Sequence, residues 1–268
     1  MTLEVTMNDK LGDALRRIGI RASADAIRTF LSHSVKNRRG PTEVIEGLVA
    51  LEIHERDARN LARRERCATL GTFAALDSFD WNHPRRIERD KYEFLLSLEF
   101  IQSKENVLFR GPSGVGKTML AQNLGLRAIQ NGKTIVFSTL ASVLHDLLRQ
   151  ESIPATERRL KRYTSPDVLI LDELGYLPCD NRAADLLYNI ICRRHEHKAT
   201  IITTNLPFKQ WNTVFPGAAC VVALVDRFAS RCHTMDIDAD SWRQKHPISI
   251  PPMSPPQTLK MSPKKSKN

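Results

Sequence analysis

The residues best suited to chemistry lie in one glycine-rich segment, Gly111-Pro112-Ser113-Gly114-Val115-Gly116-Lys117-Thr118. This segment matches the pattern G-x-x-x-x-G-K-[ST] at every position. Glycines let the backbone turn tightly and bring several N–H groups to phosphate oxygens, while the lysine reaches the outer phosphates and the threonine hydroxyl suits Mg²⁺. The pattern predicts a phosphate-binding loop for ATP, made of Gly111, Pro112, Ser113, Gly114, Val115, Gly116, Lys117, Thr118 and Met119.

The segments on either side of the loop fit this prediction. Residues 106–109 form a short apolar run that is typical of a buried strand, and residues 119–126 are typical of a helix. The positive N-terminal end of such a helix favours a bound anion. The alternative is a glycine turn that binds nothing. We also expect Lys117 to serve catalysis by stabilising charge on the transferred phosphate.

Two acids follow a second apolar run. Residues 168–171 are all branched and apolar, and Asp172 and Glu173 come directly after them. Such a run suits a strand buried on both faces of a parallel sheet, and open α/β sheets bind ligands at the carboxyl ends of their strands. We expect Asp172 to hold Mg²⁺ together with Thr118, and Glu173 to orient or deprotonate a water. The predicted fold is therefore α/β, with a doubly wound parallel sheet.

A third polar residue ends a third β-rich run. Residues 199–204 favour a strand, and Asn205 follows them. An amide at the tip of the strand beside the acidic one can hydrogen-bond both a γ-phosphate and the attacking water. This arrangement resembles the sensor-1 position of AAA+ ATPases, which would make Asn205 a catalytic residue. The alternative is that Asn205 only begins a turn before Leu206 and Pro207.

Length and composition agree with one α/β core plus small additions. The chain has 268 residues, and it contains no apolar stretch of the roughly 20 residues that a membrane span needs. Its start lacks the apolar block of a signal peptide, so we expect a cytoplasmic protein without membrane contact. The five cysteines include no C-x-x-C pair, which argues against a metal cluster or a disulfide framework.

The formal net charge of +10 is concentrated partly at the C-terminal end. Residues 241–268 contain six basic residues and no acid, so the rest of the chain carries only a modest excess of +4. Residues 246–268 are rich in proline, serine and lysine, a composition that predicts a disordered tail. Such a tail either attracts phosphate backbones or only keeps the protein soluble.

The first 70 residues predict a small helical domain, with Ser23 as a helix cap and a break at Gly40-Pro41. The helix expected from about residue 42 to residue 67 ends in several arginines. Three of them share one face by spacing and the fourth lies beside them. This stripe is a candidate surface for duplex DNA, and the alternative is a solvent face paired with interleaved acids. The four residues are Arg59, Arg63, Arg64 and Arg66.

Three motifs together resemble one family. They are the phosphate-binding loop, the run Leu171-Asp172-Glu173-Leu174-Gly175-Tyr176-Leu177-Pro178, and the run Thr203-Thr204-Asn205-Leu206-Pro207-Phe208. They are similar to motifs of the IstB family, AAA+ ATPases of certain insertion sequences that are related to DnaC-type helicase loaders. The resemblance spans roughly residues 10–245. It implies ATP-dependent self-assembly on duplex DNA, control of a partner transposase, and a role in DNA binding for the N-terminal helices.

The same resemblance suggests residues that act between subunits. Val225-Asp226-Arg227-Phe228 is similar to the family segment that carries an arginine finger, so Arg227 is expected to reach the γ-phosphate held by a neighbouring subunit. Arg231 is the fallback, expected one turn later on the same face, and a local salt bridge of Arg227 is the alternative. Arg243, in a motif that resembles the end of the family domain, either contacts phosphate or simply closes the domain.

The combined expectation is a four-part chain. Residues 1–70 form the helical domain, 71–92 a connector, 93–245 a P-loop AAA+ ATPase domain and 246–268 the tail. Three functions compete: an ATP-hydrolysing regulator of transposition that assembles on duplex DNA, a DnaC-type replicative helicase loader, and a nucleotide-gated assembly protein with little turnover. The paired acids Asp172 and Glu173 argue against the third function, and the arginine stripe argues mildly against the second.

Overall fold

The computed structural model describes residues 9–175 and 180–242, with the backbone alone at residues 9 and 10. Arg243, the predicted tail of residues 246–268, and the last three residues (176–178) of the run that begins at Leu171 lie outside the described residues. Within the described ranges, no helix combines the length and apolar character that a membrane crossing needs.

Five strands form one parallel sheet. In chain order they are β1 (Asn106–Arg110), β2 (Ile135–Thr139), β3 (Val168–Leu174), β4 (Ala199–Thr204) and β5 (Cys232–Asp236). Their order across the sheet is β2-β3-β4-β1-β5, and every neighbouring pair runs in the same direction. Parallel strands need crossover connections, which the intervening helices supply. The predicted doubly wound parallel α/β fold is confirmed.

Helices cover both faces of the sheet, and the strand residues alternate between the two layers. In β3, Ile170 packs in one core, whereas Leu169 and Leu171 pack in the other. All three side chains are fully buried, as expected for a central strand of a parallel sheet. The helices are α1 (Asp9–Arg17), α2 (Ala24–Lys36), α3 (Pro41–Ala68), α4 (Arg89–Leu95), α5 (Glu99–Gln102), α6 (Lys117–Gln130), α7 (Leu140–Leu148), α8 (Ile153–Thr164), α9 (Asn181–Arg194), α10 (Trp211–Val214) and α11 (Val221–Ala229).

The N-terminal helices begin and end where the local sequence predicts. The Ser23 hydroxyl accepts a hydrogen bond from the Ala26 N–H at the start of α2, and Pro41 opens α3. The far end of α3 does not stand apart from the sheet, because Ala68 and Leu70 are buried in the same core as α6. The domain boundary at residue 70 stays a prediction.

The connector of residues 71–92 packs against the α6 side of the sheet. Phe79 and Trp81 contact each other edge to face, with ring centroids 4.8 Å apart, and Trp81 contacts the buried Tyr92. The Asn123 amide of α6 donates to the Ala74 carbonyl oxygen and fixes the connector over the helix. These contacts bring connector side chains to the end of the sheet where the glycine-rich loop lies.

One buried arginine, Arg194, stabilises the end of the sheet that is opposite the glycine-rich loop. The Arg194 side chain is only 1 % exposed. Its guanidinium donates to the Thr200 hydroxyl and to the carbonyl oxygens of Tyr163, Thr164, Pro166, Asp167 and Ala199. Burial lowers its pKa to about 9, so the group stays protonated at neutral pH. These bonds join the ends of α8 and α9 to the starts of β3 and β4.

Replacing this arginine should destabilise the whole fold. Arg194→Leu leaves several buried carbonyl oxygens without donors, and each costs about 1–3 kcal/mol, so we expect a loss of at least about 3 kcal/mol of unfolding free energy. Urea denaturation measures it. Arg193→Leu is the matched control, because Arg193 makes only a surface ion pair with Glu157 and should cost about 1 kcal/mol or less. Equal losses in the two variants would contradict this role.

Candidate functional site

The glycine-rich loop joins β1 to α6 and adopts a backbone that requires glycine at two positions. Gly114 and Gly116 have φ angles of 79° and 94°, in the left-handed region. A Cβ atom on Gly114 would lie 2.3 Å from the Ser241 hydroxyl oxygen, and one on Gly116 would lie 2.6 Å from the Phe79 ring. The loop is therefore enclosed by the connector on one side and by residues after β5 on the other.

The start of α6 is built to receive an anion. Gly116 is its N-cap, no side chain caps the helix, and its first turn contains no acid. The 14 residues of α6 align their peptide dipoles, so their positive end points into the loop. Backbone N–H groups at an uncapped N-terminus favour a phosphate, as the sequence pattern predicts.

Lys117 lies inside the loop. Its ammonium donates to the carbonyl oxygens of Gly111 and Pro112, at 2.8 and 2.6 Å. Both bonds hold the ammonium over the loop. They place it beside the start of α6, where the outer phosphates of a nucleotide would need it.

Asp172 connects the loop with two strands. The Thr118 hydroxyl donates to the Asp172 carboxylate at 2.9 Å, and the Thr203 hydroxyl of β4 donates to the same group at 2.5 Å. Asp172 is only 4 % exposed, so both bonds lie in a weakly screened environment. Carboxylate and hydroxyl oxygens are the hard ligands that Mg²⁺ prefers, so the Asp172 and Thr118 pair fits that ion.

Glu173 has a strained backbone at this same point. Its φ angle is 62°, in the left-handed region that a non-glycine residue rarely adopts, and the pairing of β3 with β4 shifts register between Leu171 and Leu174. The Thr203 hydroxyl oxygen accepts the Glu173 N–H at 3.0 Å, which holds the strained residue. Unlike Asp172, the Glu173 side chain is exposed and lines the cavity.

Thr203 is a site residue that sequence reasoning missed. One hydroxyl donates to Asp172 and accepts from Glu173, so it fixes both acids at once. The available signal was its position in Thr203-Thr204-Asn205, where polar residues end an otherwise apolar strand. The motif drew attention only to Asn205, because that residue resembles the sensor-1 position, whereas the contacts of Thr203 with both acids appear only in the folded structure.

A cavity of about 370 Å³ brings most of the predicted residues together. Glu173 and Asn205 line it from the ends of β3 and β4, and four aromatic side chains close its other side. The aromatic residues come from the connector and from the segment after β5: Phe73, Phe79, His83 and Trp242. From the glycine-rich segment and its helix, the lining residues are Ser113, Gly114, Val115, Gly116, Lys117, Thr118 and Met119.

The segment after β5 covers the loop. The Trp242 N–H donates to the Gly114 carbonyl oxygen at 3.1 Å, and the Trp242 and His83 rings meet edge to face with centroids 4.8 Å apart. Arg86 and Asp238 form an isolated antiparallel bridge beside them. The sequence analysis did not predict this cover, since it considered the segment only as a motif that resembles the end of the family domain.

Arg227, on α11, does not line the cavity and instead lies against α9. Its guanidinium contacts Cys192 and lies over the Tyr188 ring, both on α9. Arg227 therefore lies away from the cavity of its own chain, and its role as an arginine finger stays a prediction. The expectation for Arg231 was wrong in geometry: α11 ends at Ala229, and Arg231 instead lies 3.6 Å from Glu105.

The four arginines near the end of α3 have different surroundings. Arg59 pairs with Glu52 at 3.1 Å and with Glu55 at 3.7 Å, so acids within the same helix already neutralise it. Arg63 and Arg66 are exposed, and the Nε atom of Arg64 is buried without a hydrogen-bond partner among the described residues. The DNA-binding role of the stripe stays a prediction, with Arg63 and Arg66 as its accessible members.

Comparisons with known proteins agree with this geometry. The family model described as IstB-like ATP binding protein matches residues 14–249. A protein of Bacillus thuringiensis subsp. berliner, named for ATP binding in insertion sequence IS232, is 32% identical over 238 residues, which cover 88% of this chain and 94% of that protein. Its counterpart from insertion sequence IS21 of Pseudomonas aeruginosa is 30% identical, covering 86% of this chain and 87% of its own length.

A solved structure supports the fold alone. The crystal structure of DnaI superposes with a TM-score of 0.51 at 17% sequence identity, covering 63% of this chain and 89% of that one. At this level of identity the likeness concerns the arrangement of strands and helices around the site, not the chemistry performed there.

The Thr203 hydroxyl should matter for binding of the metal–nucleotide complex. Thr203→Val removes a hydrogen bond to a charged group, so we expect the Mg²⁺-dependent part of ATP affinity to fall about tenfold or more, with smaller effects on ATP alone. Titration calorimetry with and without Mg²⁺ measures both, and Thr203→Ser should restore the affinity.

Thr204→Val is the matched control for this experiment. The Thr204 hydroxyl is also buried in β4, but it donates to the Leu174 carbonyl oxygen and not to Asp172. A loss of Mg²⁺-dependent affinity of the same size in Thr204→Val would mean that β4 integrity, and not the Thr203 bond, sets the affinity.

Proposed function

Because the chain belongs to the family of IstB-like ATP binding proteins, we propose that it hydrolyses ATP to control its assembly on duplex DNA, and that the assembly directs or stimulates a partner transposase. The observation that carries this proposal is the convergence of Lys117, Thr118, Asp172 and Glu173 at one edge of the sheet. A protein that only binds nucleotide needs the loop, but it has no need for a second, strained and exposed acid beside it.

Hydrolysis needs a group that acts on water, and Glu173 is best placed for it. The Glu173 side chain lines the cavity opposite the loop, while its backbone is fixed by Thr203. A carboxylate there accepts a proton from, or orients, the water that attacks the γ-phosphorus. Asn205, at the tip of the adjacent strand, lines the same cavity and would hydrogen-bond that water and the γ-phosphate.

Mg²⁺ is the cofactor that the acidic side of the site fits. Asp172 and Thr118 would hold it, since their oxygens are already adjacent and hard. When bound, Mg²⁺ neutralises charge on the phosphate oxygens. Lys117 contributes on the opposite side by binding the outer phosphates, so positive groups would surround the transferred phosphate.

Among the described residues that line the cavity, Lys117 is the only lysine or arginine, so a second permanent cation for the γ-phosphate would have to come from elsewhere. We assign that role to Arg227 of a neighbouring subunit in a homo-oligomer, because Arg227 lies away from its own cavity. An arginine in this role stabilises the charge of the transition state, so hydrolysis would depend on assembly. A single subunit would then be able to bind ATP, whereas hydrolysis would also need the arginine of a second subunit.

Duplex DNA is the proposed surface for assembly. Exposed arginines at the end of α3, Arg63 and Arg66, offer charges to phosphates, with Arg59 and Arg64 beside them. Relatives named for insertion sequences IS232 and IS21 support a place in transposition. In this proposal residues 1–70 bind DNA, residues 71–92 connect the two domains, and residues 93–245 hydrolyse ATP.

Two substitutions should separate nucleotide binding from turnover. Lys117→Ala removes a charged donor to phosphate and should weaken ATP binding at least about tenfold. Glu173→Gln keeps the shape of the site and should bind ATP normally, but turnover should fall about 100-fold or more because the catalytic base is lost. Calorimetry measures binding and phosphate release measures turnover.

Glu196→Gln is the control for the acid. Glu196 is also an exposed glutamate with a positive φ angle of 60°, but it lies outside the cavity. The turnover of Glu196→Gln should therefore equal that of the unaltered chain. Wild-type turnover in Glu173→Gln would remove Glu173 from its role.

The DNA proposal predicts salt-sensitive assembly. With ATP and duplex DNA, sedimentation should show large complexes at about 50 mM salt that weaken strongly at about 200 mM, and duplex should raise turnover. Replacing Arg63 and Arg66 by alanine should weaken DNA binding. The slope of log binding constant against log salt concentration should also become shallower, by about one for each phosphate that is no longer neutralised. Replacing the exposed Arg149 and Arg158, which lie outside α3, by alanine removes the same amount of charge. This control should leave the DNA affinity and its salt dependence nearly unchanged.

If duplex DNA changes neither mass nor turnover, the DNA proposal is wrong. The alternative of a helicase loader would then be favoured, since that function needs protein binding by the N-terminal helices and no duplex affinity.

A further inference from the structure

Arg227 rests on two residues of the neighbouring helix. Its guanidinium carbon lies 5.1 Å from the centroid of the Tyr188 ring, a distance typical of a cation–π contact. One of its terminal nitrogens donates to the Cys192 sulfur. Tyr188 and Cys192 are four residues apart on α9, so they lie on one face of that helix, toward α11.

Both partners of Arg227 are uncharged in their ordinary forms. Nearby arginines differ: Arg193 pairs with Glu157, and Arg231 pairs with Glu105. Within the described part of the chain Arg227 forms no ion pair, although Asp226 precedes it in the sequence. A ring face and a sulfur restrict where the guanidinium lies without neutralising it, whereas a carboxylate would cancel the charge that an incoming phosphate must meet.

The two partners are also linked to each other. The Cys192 thiol, as a hydrogen-bond partner, is the largest cause of the raised pKa of the Tyr188 hydroxyl. The two side chains that contact Arg227 therefore also lie close to each other. All three are partly exposed, so a second subunit can reach the guanidinium where it lies.

We propose that Tyr188 and Cys192 are positioning residues that hold the Arg227 guanidinium, charged and oriented, for the γ-phosphate of a neighbouring subunit's ATP. This inference rests on the proposed function and deepens it. A free arginine side chain would lose much of its rotamer freedom on meeting the phosphate, and holding it beforehand removes part of that loss from the reaction. The contacts are weak enough to be exchanged for phosphate when the subunits meet.

Substitutions at the two residues should lower kcat and leave ATP affinity unchanged. Tyr188→Ala removes the ring, and we expect kcat to fall about 2- to 30-fold, the range that a cation–π contact supports. Tyr188→Phe keeps the ring and should retain most of the activity. Cys192→Ala should lower kcat less than Tyr188→Ala does. The kcat of Cys192→Ser should lie between that of Cys192→Ala and that of the unaltered chain.

Cys220→Ala is the matched control for the sulfur. Cys220 lies at the start of α11 and is partly exposed like Cys192, but its thiol hydrogen-bonds with Asp185 and not with Arg227. Its replacement should leave kcat unchanged. Assembled mass is measured for every variant, so that a failure to assemble is separated from a slower reaction.

A mixing experiment identifies the subunit in which Tyr188 acts. A Lys117→Ala chain binds ATP poorly but keeps its arginine, and an Arg227→Ala chain binds ATP but lacks the arginine. Each should be nearly inactive alone, and their mixture should regain turnover. Adding Tyr188→Ala to the arginine-bearing chain should lower the regained rate, whereas adding it to the ATP-binding chain should not.

The outcomes separate this inference from the proposed function. Full turnover by Arg227→Ala would overturn both the arginine assignment and this inference. An inactive Arg227→Ala beside fully active Tyr188→Ala and Cys192→Ala would overturn the inference alone. A defect of Tyr188→Ala that follows the ATP-binding chain would also overturn it, because Tyr188 would then act within its own subunit.

Discussion

The site depends on one constraint, the parallel register that opens the ends of β1, β3 and β4 at a single edge of the sheet. Phe109 pairs with Thr203 and Leu171 pairs with Ile202, so the residues that follow in each strand must meet. The Asp172 carboxylate then accepts hydrogen bonds from Thr118 and from Thr203, and in this way one buried charge joins the loop to two strands. Breaking that register would separate the glycine-rich loop from Asp172 and Glu173.

Much of this arrangement was predictable from sequence because its signals are local. The glycine pattern fixes a loop that only glycine at positions 114 and 116 can form, and buried apolar runs followed by acids mark the ends of parallel strands. The order strand, loop, helix then predicts the fold, and Asp172 meets Thr118 as expected. Each of these features can be predicted from residues adjacent in the chain and from the common direction of the strands.

The remaining features depend on contacts between distant residues. The roles of Thr203 and Arg194 come from where their side chains lie in the packed fold, and no spacing in the sequence specifies that. The expected position of Arg231 failed for a similar reason, because helical spacing was extended past Ala229, where α11 ends. The surroundings of Arg227 also required the structure, since Tyr188 and Cys192 lie more than thirty residues earlier in the chain.

We propose that this edge of the sheet is a metal-dependent ATP-hydrolysing centre. Its most direct test is phosphate release from ATP by the intact chain, followed with and without Mg²⁺ beside an Asp172→Asn variant. We expect phosphate release to require Mg²⁺ and to fall about 100-fold or more in Asp172→Asn, since the carboxylate that fits the ion is gone. Equal release by both chains, or release that does not depend on a divalent ion, would contradict it.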